Sequence, residues 1–385
     1  MQKEEHPVRS PNLETMALLP GKSKPLFLTR LEHNEHKFIE RCNGDTDGVV
    51  INLRFDSPPR HGRLKRAAIE KRLPFVIDIE TWRLPFLSGP DDESFGSDID
   101  TPLAAAVTLP LGPEALEDGA PLEALVRAAA QAQVGALYTF APYFRVTALD
   151  DPWLEVNLRA LVEMRRIAPR QPLAAWVYVD VEAMNGGLLP YLADRYRQAL
   201  PTGSIVVLTV SDIRTGERTP EEIATYLEGI DAFRTHGFHV IADRGSEISV
   251  AAIAGGAAGC MVGNRIYRTA PASPIWDNPF NPAIKLRYFD GERLRKVDRE
   301  DAKGRARRGK LGCRHAPKEC DAVNAGKRDN VLVRLHASHE MRDAIRRAES
   351  LGAVRLRQLW RDASLKHLRE FAQALALAEA RSQEA

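Results

Sequence analysis

The chain has 385 residues, 44% hydrophobic and 28% charged, the balance of a globular protein rather than a disordered or fibrous one. No apolar run reaches the roughly 20 residues a membrane helix needs, and no signal-peptide pattern opens the chain. Four cysteines do not make a disulfide framework, so a cytoplasmic setting without membrane contact is expected.

The net charge of +2 conceals an asymmetry. Residues 281–385 hold 25 Lys+Arg against 15 Asp+Glu, which leaves 29 against 37 for residues 1–280. A basic module joined to an acidic one points to a polyanionic partner; a plain solvated basic surface is the alternative.

Residues 1–23 mix Pro, Lys, Glu and Ser without a sustained period and read as a flexible leader. Short apolar runs then alternate with helical patterns. Strands are expected at 24–30 (KPLFLTR), 48–56, 74–80 (PFVIDIE), 135–142, 173–180 (LAAWVYVD), 204–212, 239–242 and within 256–262 (GAAGCMV). Runs this short and apolar suit a parallel sheet buried on both faces.

Helices are expected at 60–72, 122–133, after Asp151-Pro152, at 189–200, and after the capping box Thr219-Pro220-Glu221-Glu222, which Gly237 stops. The acidic stretch 88–101 reads as a loop over the barrel mouth. Eight strand–helix units fill about 245 residues, close to the roughly 250 of a (β/α)8 barrel. The rival is an open doubly wound sheet, but no Gly-x-Gly-x-x-Gly follows the first strand.

The expected organisation is a TIM-type α/β barrel over 24–280 and a basic, mainly helical, Cys/His-containing extension over 281–385. In that extension 293–310 reads as a helix or a disordered arm, and 340–351 and 356–380 as terminal helices. The Leu, Trp and Phe stripe of the last helix reads as packing or as a docking face.

Three constellations could carry chemistry. The strand ends deliver Asp78 and Glu80, Asp180, Asp212, Asp243 and Arg244, and Asn264 and Arg265 to one rim. Clustered carboxylates perturb one another and make general acids, bases and nucleophiles; helix caps and rim ion pairs are the plainer reading. Asp78, Asp243, Asp180 and Glu80 are the catalytic candidates, and the remainder would contact substrate.

The glycines Gly255, Gly256 and Gly263 form a corner that could seat a phosphate, or simply allow close packing. Cys313-x-His315-x4-Cys320, followed by His336 and His339, offers thiolates and imidazoles for zinc; two buried thiols are the alternative. Cys42 and Cys260 are isolated, and Cys260 lies inside a strand.

A barrel followed by a Cys/His tail resembles the tRNA-guanine transglycosylase superfamily, including its DNA-modifying relatives. The resemblance implies exchange of guanine for a 7-deazaguanine base through a covalent aspartate–ribose intermediate. It also implies DNA or tRNA as partner and a structural zinc held by three close cysteines and a distant histidine. Cys313, Cys320 and His336 look like members of that set, with His315 where another cysteine would stand. Arg334-Leu335-His336, leading into a helix, is similar to the family's histidine region.

Asp78 falls where the family has the acid of its Asp-Ser-Gly-Gly-Phe-Gln motif, followed here by Ile79-Glu80-Thr81. The family's nucleophilic aspartate, in a Gly-x-Asp-x-Phe-Asp pattern, falls on Met261, and methionine cannot form the intermediate. Another acid, Asp243 or Asp78, is then expected to serve. Two further functions are expected as alternatives: a small-molecule barrel enzyme with a phosphorylated ligand at Gly255–Gly263, and a non-catalytic nucleic-acid-binding subunit of a larger assembly, with a partner protein or a second copy.

Overall fold

The computed structural model describes residues 24–31, 35–53, 62–87, 102–211, 213, 218–243, 247–263, 288–314 and 316–384. The expected leader 1–23 and the acidic loop 88–101 lie outside these residues. Nine strands form one parallel sheet: β1 (Leu26–Leu31), β2 (Gly48–Asn52), β3 (Phe75–Asp78), β4 (Thr139–Phe140), β5 (Arg145–Val146), β6 (Leu173–Val179), β7 (Ile205–Val210), β8 (His239–Asp243) and β9 (Gly259–Gly263). Their order is β3-β2-β1-β9-β8-β7-β6-β4, with β5 also on β6.

β1 thus lies between β2 and the last strand, β9. Between β3 and β4 the Leu137 amide donates to the Phe75 carbonyl at 2.8 Å. The sheet is a nearly closed eight-stranded barrel, as expected, because the strands follow one another in sequence around the ring; an open doubly wound sheet would reverse its order at a switch point. β1, β2, β3 and β7 are buried along their whole length, which is why they read as unbroken apolar runs.

The fourth barrel strand is split into β4 and β5. Phe140 pairs with Ala174 and Arg145 with Tyr178, so the split strand carries one more residue than β6 between these pairs. Pro142 has no N–H to give the ladder, and the chain bulges around it. The freed backbone is satisfied by side chains. The Tyr143 amide donates to Thr81 Oγ1 at 2.7 Å, and the Phe144 amide donates to Asn157 Oδ1 at 2.7 Å.

The helices of the barrel wall are α1 (His36–Arg41), α2 (Arg63–Glu70), α3 (Gly119–Ala132), α4 (Pro152–Ile167), α5 (Leu188–Ala199), α6 (Pro220–Thr235) and α7 (Ile248–Ala254). Asp151 caps α4 by accepting from the Trp153 amide. Thr219 and Glu222 form the expected capping box on α6. The short helix α1 carries no long apolar period and was not expected from the sequence.

After β9 come a hairpin of β10 (Tyr288–Asp290) and β11 (Arg295–Val297), then α8 (Arg299–Arg307), α9 (Asp321–Ala325), α10 (Asn330–Arg361) and α11 (Lys366–Glu384). The charged run 293–310 therefore becomes β11 and a helix, which Asp298 caps by accepting from the Asp301 amide. α10 starts ten residues before the sequence suggests, where Asp329 accepts from the Leu332 amide. It breaks at Gly352, whose φ of 67° is left-handed and suits glycine.

α10 packs against both α7 and α1, the place of a barrel's eighth helix. Ala337, Met341, Ala344 and Ile345 are continuous with the barrel core. The stripe Leu356, Trp360, Leu368, Phe371 and Leu375 is buried in the same core, with α11 against α6, so it is packing rather than a free docking face. The hairpin, α8 and α9 have a second, small core of nine buried residues, including Tyr288, Leu311, Cys320 and Val333. That module lies in the chain between the eighth barrel strand and the eighth wall helix. No described helix is long and apolar enough to cross a membrane.

Candidate functional site

At the carboxyl ends of the strands one guanidinium gathers the acids. Arg30, next to last in β1, donates from Nη1 to Asn52 Oδ1 (2.8 Å) and Asp78 Oδ2 (2.5 Å), and from Nη2 to Asp243 Oδ1 (2.7 Å). Asn52, Asp78 and Asp243 are the last residues of β2, β3 and β8, so three strands that are distant in sequence meet at Arg30. Arg30 is 6% exposed, Asp78 0% and Asp243 1%. Buried carboxylates are costly unless paired, and here one cation serves both.

The circuit closes on its far side through aromatic residues. The Tyr143 hydroxyl donates to Asp78 Oδ1 at 2.5 Å, and its ring stacks on Trp176 at 5.1 Å. Trp176 Nε1 donates to Thr209 Oγ1 (2.8 Å), and Thr209 Oγ1 donates to Asp243 Oδ2 (2.8 Å). The Arg30 guanidinium lies 5.4 Å from the centre of the Trp176 ring, close enough for a cation–π attraction. Both acids are held at fixed orientation by donors whose own positions are fixed, the condition for a nucleophile or base that must not reorganise during reaction.

Glu80 stands just beyond β3 with a left-handed backbone (φ 47°), unusual for a non-glycine residue and a form of strain that collects at functional sites. Its amide donates to Asp78 Oδ1 at 3.0 Å, and its Oε1 accepts from Asn52 Nδ2 at 3.2 Å. Glu80 is therefore joined to the same cluster.

Other expected site residues fall elsewhere. Asp180 follows β6, accepts from the Glu182 amide (3.2 Å) as the cap of a short 3-10 helix, and pairs with Arg145 at 3.3 Å. Its described partners are those of a cap and rim ion pair. Gly263 ends β9 in register with Arg30 and so lies at the mouth.

Gly255 and Gly256 correct the expectation of a single phosphate corner. They form the turn from the C-terminus of α7 into β9, at the amino ends of the strands and the opposite end of the barrel from Asp78. A helix C-terminus offers carbonyls, which repel a phosphate. Gly256 is there because the turn needs its φ of 100°. Asp212, Arg244, Asn264, Arg265 and His315 lie outside the described residues.

Arg30, Asn52, Tyr143, Trp176 and Thr209 were not singled out from the sequence. A basic residue closing an apolar strand was the one available signal, in Arg30.

Beside the barrel, Cys313, Cys320 and His336 form a group that could hold a metal ion, their ligand atoms all within 4.8 Å of one another. Cys313 Sγ lies 3.0 Å from Cys320 Sγ, and His336 Nδ1 lies 3.8 and 3.5 Å from the two sulfurs. His336 Nε2 is 2.9 Å from the Phe289 carbonyl; a proton there donates to that oxygen and leaves the Nδ1 lone pair facing the sulfurs. Such a backbone contact is what orients a metal-ligating imidazole.

The hydrogen bond from Cys320, and next the His336 imidazole, pull the Cys313 thiol well below its ordinary range against the effect of burial. The same sulfur–sulfur contact, with burial, pushes the Cys320 thiol up. A bound cation would displace protons from these sulfurs, because it is thiolates that ligate. Cys42 and Cys260 are buried and apart from this group, as expected of Cys260.

Comparison of the chain with protein-family models, with curated proteins and with solved structures gives no significant match in any of the three.

Proposed function

We propose that the chain is a divergent nucleobase-exchanging enzyme of transglycosylase type, with Asp243 as the nucleophile. The observation that carries this reading is a register. Met261 of β9, where the resemblance puts the family's nucleophile, pairs with Asp243 of β8. The acid stands one strand over, about 4.8 Å away, at the same height in the barrel.

In this mechanism an Asp243 oxygen attacks ribose C1′ as the C1′–N bond to guanine breaks and the electron pair leaves with the base. The departing guanine takes up a proton from solvent. A deazaguanine nitrogen then attacks C1′ as the Asp243 oxygen–C1′ bond breaks, and its proton returns to solvent, which frees the carboxylate and leaves the proton count unchanged. Arg30 and Thr209 orient Asp243, while Asp78 and Glu80 face the base, with Arg244 and Arg265 as further contacts. The setting is cytoplasmic.

The metal of the Cys313, Cys320 and His336 group is zinc in this reading, with His315 as a fourth ligand and a structural role. The basic module would hold nucleic-acid phosphates. In support, Arg307, Arg308, Arg314, Lys318 and Arg328 are exposed and form no ion pair among the described residues. The phosphorylated-ligand alternative loses support because Gly255 and Gly256 lie at the wrong end of the barrel.

Purified protein should incorporate labelled guanine or deazaguanine into DNA or tRNA, and Asp243→Asn should lower the rate by about a thousandfold or more. Unchanged exchange in that variant would reject Asp243 as nucleophile. Binding without exchange in the wild type would favour the non-catalytic subunit. Replacing Arg307 and Arg308 with Ala should reduce the slope of log affinity against log salt by about 2. An unchanged slope would remove those residues from the phosphate-contacting surface.

A further inference from the structure

We propose that Cys313 and Cys320 form a reversible disulfide by exchange with a low-molecular-weight disulfide such as oxidised glutathione, and that this state excludes the metal. The second half rests on the metal reading of the same site. The two sulfurs stand 3.0 Å apart. On one tetrahedral zinc, with ligand distances of about 2.3 Å, they would stand about 3.8 Å apart; a disulfide joins them at about 2.05 Å. The pair therefore lies within about 1 Å of either state.

The local chain permits both. Cys313 sits in a turn bridged to Ala316, and Cys320 is the residue that opens α9. Closing the bond ties a short loop inside the small module, and neither cysteine lies on a barrel strand. Cys313 is half-buried and within reach of a dissolved disulfide, whereas Cys320 is 1% exposed.

The order of events follows from that difference. The Cys313 sulfur, as thiolate, attacks one sulfur of the external disulfide, forming a mixed disulfide and expelling a thiolate. The Cys320 thiol passes its proton to the expelled thiolate and attacks Cys313 Sγ, which breaks the mixed disulfide and releases the second thiolate. The cysteine pair loses two electrons and the external disulfide gains them. Sulfurs joined to each other no longer donate as thiolates, so a bound metal leaves.

The other cysteines take no part. Cys260 is fully buried in β9, and burial pushes its thiol far up; Cys42 is buried behind α1 and pushed the same way.

Trypsin cleavage after Arg314 and Lys318 puts the two cysteines on separate peptides, residues 311–314 and 319–327. After treatment with oxidised glutathione these peptides should appear joined, and dithiothreitol should separate them. A chromogenic zinc chelator should report metal release in step with loss of the Cys313 and Cys320 thiols. Cys320→Ser should stop at a glutathione adduct on Cys313, and Cys42→Ser should behave as wild type.

Adducts without the joined peptides in the wild type would overturn the disulfide, whether or not the purified chain carries metal, and would leave the zinc reading standing. Joined peptides with the metal still bound would overturn the exclusion.

Discussion

Replacing Arg30 with methionine, which keeps much of the volume and removes the charge, is expected to lower the unfolding free energy by about 3–5 kcal/mol. Arg30 is the described cation that both Asp78 and Asp243 contact, and all three side chains are buried. Without it Asp78 and Asp243, both buried, lose the cation they share, and Asn52 loses the donor to its Oδ1. The large cost comes from the charges left behind rather than from the attraction lost.

A second substitution separates these contributions. Arg30→Met with Asp243→Asn removes one carboxylate together with the cation and should recover a substantial part of the loss, a coupling that independent sites would not show. Urea unfolding midpoints of wild type, both single variants and the double variant measure it. A loss below about 1 kcal/mol for Arg30→Met would mean that Arg30 does not bind the acids in solution.

Cys320→Ser is expected to cost at least a hundredfold in metal affinity, since loss of a mere supporting contact already costs roughly 10–100-fold. Elemental analysis should find one zinc per chain in the wild type and little in the variant. The module should also loosen: its separate core is nine buried residues, several of them alanine, too few to hold a fold of that size without a staple. Hydrogen exchange should therefore rise across the β10–β11 hairpin, α8 and α9, while β6, β7 and β8 keep their protection. Equal metal content in wild type and variant would show that Cys320 is not a ligand.

The Arg30 cluster and the Cys2His group are built from different elements. They meet through α10. His336 lies in its second turn, and Ser338 Oγ, three residues from Met341 of the barrel core, sits 3.3 Å from Thr29 Oγ1 of β1. Thr29 precedes Arg30, so the helix that carries His336 also backs the strand that carries the clamp.

Much of this protein was determined by local sequence. A barrel strand is buried on both faces, so 173–180 and 204–212 appear as apolar runs that no amphipathic helix would produce. The caps at Asp151 and Thr219 are local hydrogen bonds and hence local signals. Asp78 and Asp243 were visible as acids ending such runs, and Cys313, Cys320 and His336 as metal-ligand residue types in the same C-terminal stretch.

What only the tertiary structure decided has one physical cause. When both faces of a strand are apolar, alternation no longer says which side chains point into the barrel, so Arg30, Trp176 and Thr209 could not be assigned to the interior from their neighbours. Nor does a run of glycines say at which end of the barrel it lies; the direction of α7 placed Gly255 and Gly256 away from the mouth. The eighth wall helix arrives more than sixty residues after β9, beyond an inserted module, and packing against α7 and α1 alone identifies α10 in that role. Chain order set the strands; the convergence of β1, β3 and β8 on one guanidinium exists only once the ring has closed.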